Sequence, residues 1–183
     1  MVNLVRALGI VGSPRRGGNT ETLVDAVLSS IAEAGGATEK VILDELTILP
    51  CRACNGCRDT NECVQTDDMH DLIDKMEECD VWILGTPVYW WGPTAQLKAF
   101  IDRWYGVSRS VFQGRRIILT IPMGGGSESY AQHTVGILHE NIDYLGMDLI
   151  DTILAPGIHK LGIVSENQGI MERARQAGRQ AVT

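Results

Sequence analysis

The chain has 183 residues, one domain on a norm of about 150 residues per domain, and is long enough to bury roughly 70% of its unfolded surface without disulfide or metal staples. It carries 16 Lys and Arg against 23 Asp and Glu, a net charge of −7, with 44% hydrophobic and 21% charged residues. That balance excludes a largely disordered chain and argues against general nucleic-acid binding, while no apolar run approaches the ~20 residues of a membrane span. Arg15 and Arg16 follow the apolar N-terminal stretch instead of preceding it, and no small-residue cleavage site appears. A cytoplasmic protein is therefore expected.

Residues 5–11 are almost unbroken apolar and end in Gly12-Ser13-Pro14, the pattern of a strand buried on both faces that runs into a loop. Leu23, Val24, Val27, Leu28 and Ile31 recur at helical spacing and Gly35-Gly36 closes the run, which predicts a helix over residues 20–34. A short strand over 40–43 precedes a long loop over 44–66. A helix over 67–78, with Leu72, Ile73 and Met76 on one face, leads to a strand over 81–84. Helices over 95–105 and 130–145 then alternate with strands over 116–121 and 149–154, and a polar helix over 166–180 closes the chain.

Five short β-rich segments alternating with five helices predict an α/β fold, a doubly wound parallel sheet with helices on both faces. Right-handed crossovers and five strands favour the flavodoxin-like order 2-1-3-4-5. Ligands in such a sheet bind beyond the carboxyl ends of the strands, at the switch point beside the first strand, where the loops 12–20, 86–93 and 122–129 should meet. Residues 1–183 are read as one domain, with the 44–66 loop as an insertion whose length points to function.

Gly12-Ser13-Pro14-Arg15-Arg16-Gly17-Gly18-Asn19-Thr20 nearly spells a nucleotide-triphosphate loop, but Gly18 stands where the lysine should be and Asn19 where a magnesium-binding hydroxyl should be. The dinucleotide glycine fingerprint is also missing. What remains suits a phosphate monoester: a helix start with free N–H groups, hydroxyls from Ser13 and Thr20, the Asn19 amide and the Arg15 guanidinium. The rival reading is an ordinary helix cap, which leaves two arginines, a proline and two glycines unexplained.

The third strand ends in Gly85-Thr86-Pro87-Val88-Tyr89-Trp90-Trp91-Gly92-Pro93. Three consecutive aromatics between two prolines suit a flat ring system that the side chains can wall and that backbone N–H groups can meet; the rival reading is that Trp90 and Trp91, or at least one of them, cover a dimer interface or cap the core. After the fourth strand, Gly124 and Gly125 in Pro122-Met123-Gly124-Gly125-Gly126 would let backbone approach a ligand, or simply serve a turn.

Cys51, Cys54, Cys57 and Cys63 are spaced C-x2-C-x2-C-x5-C. The spacing favours compact 4Fe-4S ligation over the paired knuckles of structural zinc, although the bacterial ferredoxin run has three residues before its last cysteine and a proline after it. Zinc, free redox-active thiols and a loop that no longer holds iron stay open. Cys79 reads as a core thiol, and His70, His133, His139 and His159 show no ligand spacing and read as structural or solvated.

Gly12-Ser13-Pro14-Arg15 with Asn19-Thr20, and Pro87-Val88-Tyr89-Trp90 with Lys98 and Phe100-Ile101-Asp102-Arg103, resemble the NADPH-dependent FMN reductases of the flavodoxin-like superfamily. With the four cysteines and Asp67-Asp68 added, the chain resembles the iron-sulfur flavoproteins of bacteria and archaea. The resemblance covers residue 4 to about 130. It implies FMN, with Ser13, Arg15, Asn19 and Thr20 on the phosphate. It also implies that Pro87, the backbone of Val88, Tyr89 and Trp90, and the Gly124-Gly125 region lie on the isoalloxazine. A 4Fe-4S cluster on the four cysteines, NAD(P)H or ferredoxin as redox partner, a small acceptor and a homodimer or homotetramer complete the expectation. Lys98 and Arg103 are read as surface or interface charges, and Asp67 and Asp68 as helix caps. An FMN-only quinone or flavin reductase, and a metal- or redox-sensing module, are the alternatives. The flavin carries the chemistry in the first two readings, so no side-chain acid or base is assigned.

Overall fold

A computed structural model describes residues 4–183. Five strands, β1 (Arg6–Val11), β2 (Ala37–Ile42), β3 (Val81–Gly85), β4 (Arg116–Pro122) and β5 (Asp148–Ala155), form one sheet in the order β2-β1-β3-β4-β5. Every pairing is parallel. Five helices intervene: α1 (Asn19–Glu33), α2 (Met69–Glu77), α3 (Ala95–Arg103), α4 (Gln132–Leu145) and α5 (Gln168–Gln180). The expected class and strand order are those observed.

Alternation along the strands divides the interior into two cores. Leu8, Ile10, Trp82, Leu84, Ile117 and Leu119 face one side and pack with residues of α2, α3 and α4. Ala7, Val11, Val81, Ile83 and Ile118 face the other and pack with α1 and α5. A period of two on strands buried on both faces produces this result, because successive side chains point to opposite faces.

The boundaries that differ from the expectation have physical causes. β2 starts at Ala37, earlier than the expected residue 40, because it is an edge strand whose Thr38 and Glu39 face water and show no apolar run. α3 stops at Arg103 and tightens into a 3-10 turn over Trp104–Gly106, and α4 is preceded by another over Glu128–Ala131. Between the short turn at Leu43–Glu45 and the start of α2 the chain has no helix or strand. This is the cysteine loop.

Helix α1 crosses β1 and α5 at close range, and glycine makes both approaches possible. A Cβ on Gly9 would stand 2.7 Å from Val24 and Leu28, and one on Gly178 would stand 2.5 Å from the Val27 carbonyl oxygen. Gly136, in α4, has open space at that position. Gly178→Ala should therefore cost about 1–3 kcal/mol through forced backbone movement. Gly136→Ala should gain about 0.5–1 kcal/mol from helix propensity. Thermal unfolding of the two variants checks this, with Tm expected to move in opposite directions by about 2–4 °C per kcal/mol.

Candidate functional site

The loops after β1 and β3 are locked together before either reaches a ligand. The Gly12 N–H donates to the Gly85 carbonyl at 2.7 Å, and a Cβ on Gly12 would lie 2.9 Å from that oxygen. Buried Thr94 caps α3 by accepting from the Leu97 N–H, donates its hydroxyl to the Gly12 carbonyl, and gives its own N–H to Thr86 Oγ1. Thus the N-terminus of α3 is tied directly to the loop that starts α1.

Beyond this lock lies a cavity of about 200 Å³ lined by Ser13, Arg15, Gly18, Asn19, Thr20, Pro87, Val88, Tyr89 and Gly124. Eight of the ten expected cofactor-binding residues therefore surround one space. The N-cap of α1 is Gly18, which has no side chain to offer, so the helix presents first-turn N–H groups with no side-chain cap. The Ser13 Oγ accepts the Arg15 N–H at 3.2 Å. The two arginines have different fates. Arg16 pairs with Glu45 and with Glu21, whereas Arg15 forms no ion pair among the described residues and its side chain lines the cavity.

Asn19 is already committed in part: its Nδ2 donates to the Lys160 carbonyl at 2.7 Å and its Oδ1 accepts the Val164 N–H. It fastens the β5–α5 loop to α1, with one amide hydrogen to spare. Glu21, unnoticed in the sequence, organises the turn by accepting the Gly17 N–H at 2.7 Å and pairing with Lys40. Burial opposes its charge, but Lys40, that N–H and Arg16 together hold its carboxyl below the ordinary range.

A second compartment of about 330 Å³ shares Val88, Met123 and Gly124 with the first and is walled by Trp90, Trp91, Gly125 and Tyr130. Tyr89 and Gly92 exchange both backbone hydrogen bonds, so Trp90 and Trp91 are the two central residues of a tight hairpin turn. Both have positive φ, 48° and 61°, a conformation that hairpins normally fill with Asn-Gly or Asp-Gly. Bulky residues held there cost of order 1–3 kcal/mol each, and Trp90 is nevertheless 91% exposed. The Val88 N–H is spent on the Pro122 carbonyl and the Tyr89 N–H on Gly92, so of residues 88–90 the Trp90 N–H is the one left for a ligand edge. Gly125 has a reason of its own, since a Cβ there would lie 2.4 Å from the Tyr130 ring.

The loop 157–161 completes the first cavity with Ile158, His159 and Leu161. It is strapped on by the Gly157 N–H to the Gly125 carbonyl and the Ile158 N–H to the Met123 carbonyl, both 2.8 Å. His159, read as structural or solvated, is thus an exposed residue at the cavity wall. A signal existed: Pro156-Gly157 follows a strand whose carboxyl end lies on the same sheet edge.

Cys51, Cys54, Cys57 and Cys63 all line one narrow cavity of about 30 Å³, together with Gln65, Arg103 and Gly106. A Cβ on Gly106 would stand 3.1 Å from Cys57 Cβ and 3.3 Å from Cys63 Cβ, so the cysteines seat on a glycine floor. The loop coils through Ala53, Asn55 and Asn61, all at positive φ. Among the described residues, no three His, Cys, Asp or Glu side chains stand close enough to hold a single metal ion. Cys79 is buried in the core, away from this cavity, and burial pushes its thiol up.

Arg103 is not a surface or interface charge. It is 1% exposed and forms an ion pair with Asp67, itself 2% exposed in its side chain, at 2.6 Å. A charge at that depth needs a partner. The guanidinium also donates to the Leu49 carbonyl at 2.9 Å and, at 3.5 Å, to that of Gln65, so it grips both stems of the cysteine loop. Asp67 does serve α2 by accepting the Met69 N–H, as its reading as a cap implied, and its other oxygen accepts the Leu49 N–H. Asp68 accepts from Thr47. Lys98 is an exposed partner of Asp102. Arg103 Nε, Gln65 Oε1 and Trp104 Nε1 are buried without any hydrogen-bond partner; Arg103 and Gln65 line the cysteine cavity, and Trp104 lines an adjoining cavity that Cys51 also lines. Unpaired buried groups cost about 1–3 kcal/mol each. The unpaired Arg103 donor beside four thiols suits an anionic group, so by residue type this lining is compatible with a thiolate-bound iron-sulfur cluster.

The sequence matches the family described as NADPH-dependent FMN reductase over residues 5–154. It is similar to an iron-sulfur flavoprotein of Methanocaldococcus jannaschii, 35% identical over 96% of this chain and 94% of that one. An iron-sulfur flavoprotein of Methanosarcina thermophila is 33% identical over 80% of this chain and 77% of that one. Among solved structures, NAD(P)H:quinone oxidoreductase from Methanothermobacter marburgensis superimposes with a TM-score of 0.75 at 17% identity, over 96% of this chain and 98% of that one. An FMN-dependent NADH-azoreductase from Bacillus anthracis, solved in complex with FMN, gives 0.74 at 14% identity, over 97% and 100%. At such identities the two structures speak for the fold.

The ion pair under the cysteine loop has a measurable signature. Burial works against the Asp67 carboxylate, but the Arg103 hydrogen bond and the Leu49 and Met69 N–H groups outweigh it and hold its pKa below the ordinary value. A depressed carboxyl stabilises the fold above the ordinary pKa of about 3.9, and that contribution drains away as pH falls through the lower folded value. Asp67→Asn leaves Arg103 without its counter-charge, with an expected cost of about 3–5 kcal/mol at pH 7. Urea unfolding from pH 7 down to pH 3 should show a shallower loss for the variant than for the wild type.

Proposed function

The chain belongs to the NADPH-dependent FMN reductase family, and from that premise we propose that it moves electrons between NAD(P)H or a ferredoxin and a small acceptor, using FMN and a 4Fe-4S cluster. The observation that carries the reading is the convergence of Cys51, Cys54, Cys57 and Cys63 on one cavity that is also lined by Arg103, whose Nε is a buried unpaired donor, in a relative of proteins named iron-sulfur flavoproteins. The FMN-dependent oxidoreductase activity follows from the family, and the cluster, its ligands and the redox partners are the proposed part.

When bound, FMN supplies exchange between two-electron and one-electron chemistry, and a cluster supplies one-electron chemistry. The residues of this chain bind and orient. Ser13, Arg15, Thr20 and the first turn of α1 hold the phosphate, with the remaining amide hydrogen of Asn19 available to it. Pro87, Val88, Tyr89, Gly124 and Gly125 line the space for the ring, whose edge the Trp90 N–H can meet. Trp90 and Trp91 wall that compartment. The exposed turn is also the place where a second copy would close the site in a homodimer or homotetramer.

Two measurements test the proposal. Arg15→Ala removes a charge-assisted contact worth about 1.5–3 kcal/mol, so FMN should bind roughly 10–150-fold more weakly while riboflavin, which has no phosphate, binds as before. Equal loss for both ligands would disprove the phosphate assignment. Cys54→Ala should keep the fold and the FMN but bind no stable cluster, and rates with one-electron acceptors should fall much further than rates with a two-electron quinone. Iron, zinc and FMN analysis with EPR on anaerobically prepared protein reads the outcome. Preferential zinc uptake by the wild type would favour the FMN-only reductase, and loss of FMN with unfolding in Cys54→Ala would make the loop structural.

A further inference from the structure

Arg103 has spent every hydrogen-bonding group but one. Its Nη1 donates to Leu49 and Asp67, and its Nη2 to Asp67 at 3.1 Å and weakly to Gln65. These contacts pin the planar guanidinium at both ends and prevent its rotation. The remaining donor, Nε–H, is buried and unpartnered, and Arg103 lines the cavity that the four cysteines share. Asp67 balances the positive charge from the side facing away from that donor.

We propose that Arg103 is a positioning and tuning residue that donates its Nε–H to a sulfur of the bound iron-sulfur cluster and thereby raises the cluster's reduction potential. The proposal rests on reading the cysteine cavity as the cluster site. Its physical basis is that a fixed donor stabilises the reduced cluster, which carries one more negative charge, more than the oxidised one. Because the Asp67 carboxylate cancels the guanidinium charge at longer range, the effect is local to the hydrogen bond. A lysine at this position would keep the charge and the Asp67 pair but lack the Nε donor.

The test compares wild type and Arg103→Lys, both prepared anaerobically, for iron content, FMN content and the cluster midpoint by EPR-monitored redox titration. The expected result is unchanged iron and FMN with a midpoint shifted negative, so that at a fixed solution potential the reduced-to-oxidised ratio falls about tenfold, 59 mV for a one-electron couple. Equal iron with an unmoved midpoint overturns the proposal and leaves the cluster reading intact. A wild type that takes up no iron overturns the cluster reading and the proposal with it.

Should Arg103→Lys lose its iron, a second measurement decides on the unaltered side chain. Pulsed EPR of the reduced protein grown on 15N-arginine should show a 15N coupling that persists in Arg52→Lys, which removes the other arginine on the cavity. A coupling that is absent, or that disappears with Arg52, overturns the proposal.

Discussion

A guanidinium buried to 1% exposure is stable only with a counter-charge and hydrogen bonds, and Arg103 obtains them from the cysteine loop and its stems. Asp67 supplies the charge and the Leu49 and Gln65 carbonyls supply the rest. Because Leu49 and Gln65 flank the four cysteines, the requirement of one buried cation fixes where a long irregular segment leaves and rejoins the fold. No helix or strand could do this for a loop that coils through three left-handed residues. Replacing one member would leave the other uncompensated, which is why the pair acts as a single structural unit.

The helix that carries Arg103 also organises the other site. Thr94 caps the start of α3 and holds the Gly12 carbonyl, and Arg103 ends α3 and holds the cysteine loop. Nine residues at 1.5 Å per residue make α3 about 14 Å long. The loop after β1 and the cysteine loop are therefore tied to opposite ends of one rigid rod, packed through Leu97, Phe100 and Ile101 into the core. A shift of either site relative to the other would have to move that helix against its packing.

The bulkiest side chains at positive φ stand where the chain meets solvent beside the second compartment. Trp90 and Trp91 occupy turn positions that glycine or asparagine would fill at lower cost, and one of them is nearly fully exposed. Neither burial nor propensity explains this choice. Their rings wall the compartment that Gly125 and Tyr130 also line.

The sheet and its order were legible in the residues because the cause is local: strands buried on both faces read as short apolar runs, helices repeat every 3.6 residues, and right-handed crossovers leave few ways to connect them. Strand ends then placed the loops at the switch point, and Ser13, Arg15, Thr20, Pro87 and Gly124 meet there as expected. The spacing of the cysteines likewise marked the loop that carries them. What sequence order left open were the contacts made over long separations. Arg103 sits in a helix pattern that suits a surface charge, and its burial depends on Asp67, thirty-six positions earlier, folding back across it. Arg15 and Arg16 are chemically identical neighbours, and Glu21 and Glu45 decide that one is paired while the other faces the cleft. Asn19 is drawn partly away from a ligand by Lys160 and Val164. Sequence alone determined which groups are present and which strand end each one follows. Tertiary structure decided which remain free to bind, because a polar group's availability depends on every partner that the fold brings within hydrogen-bond reach.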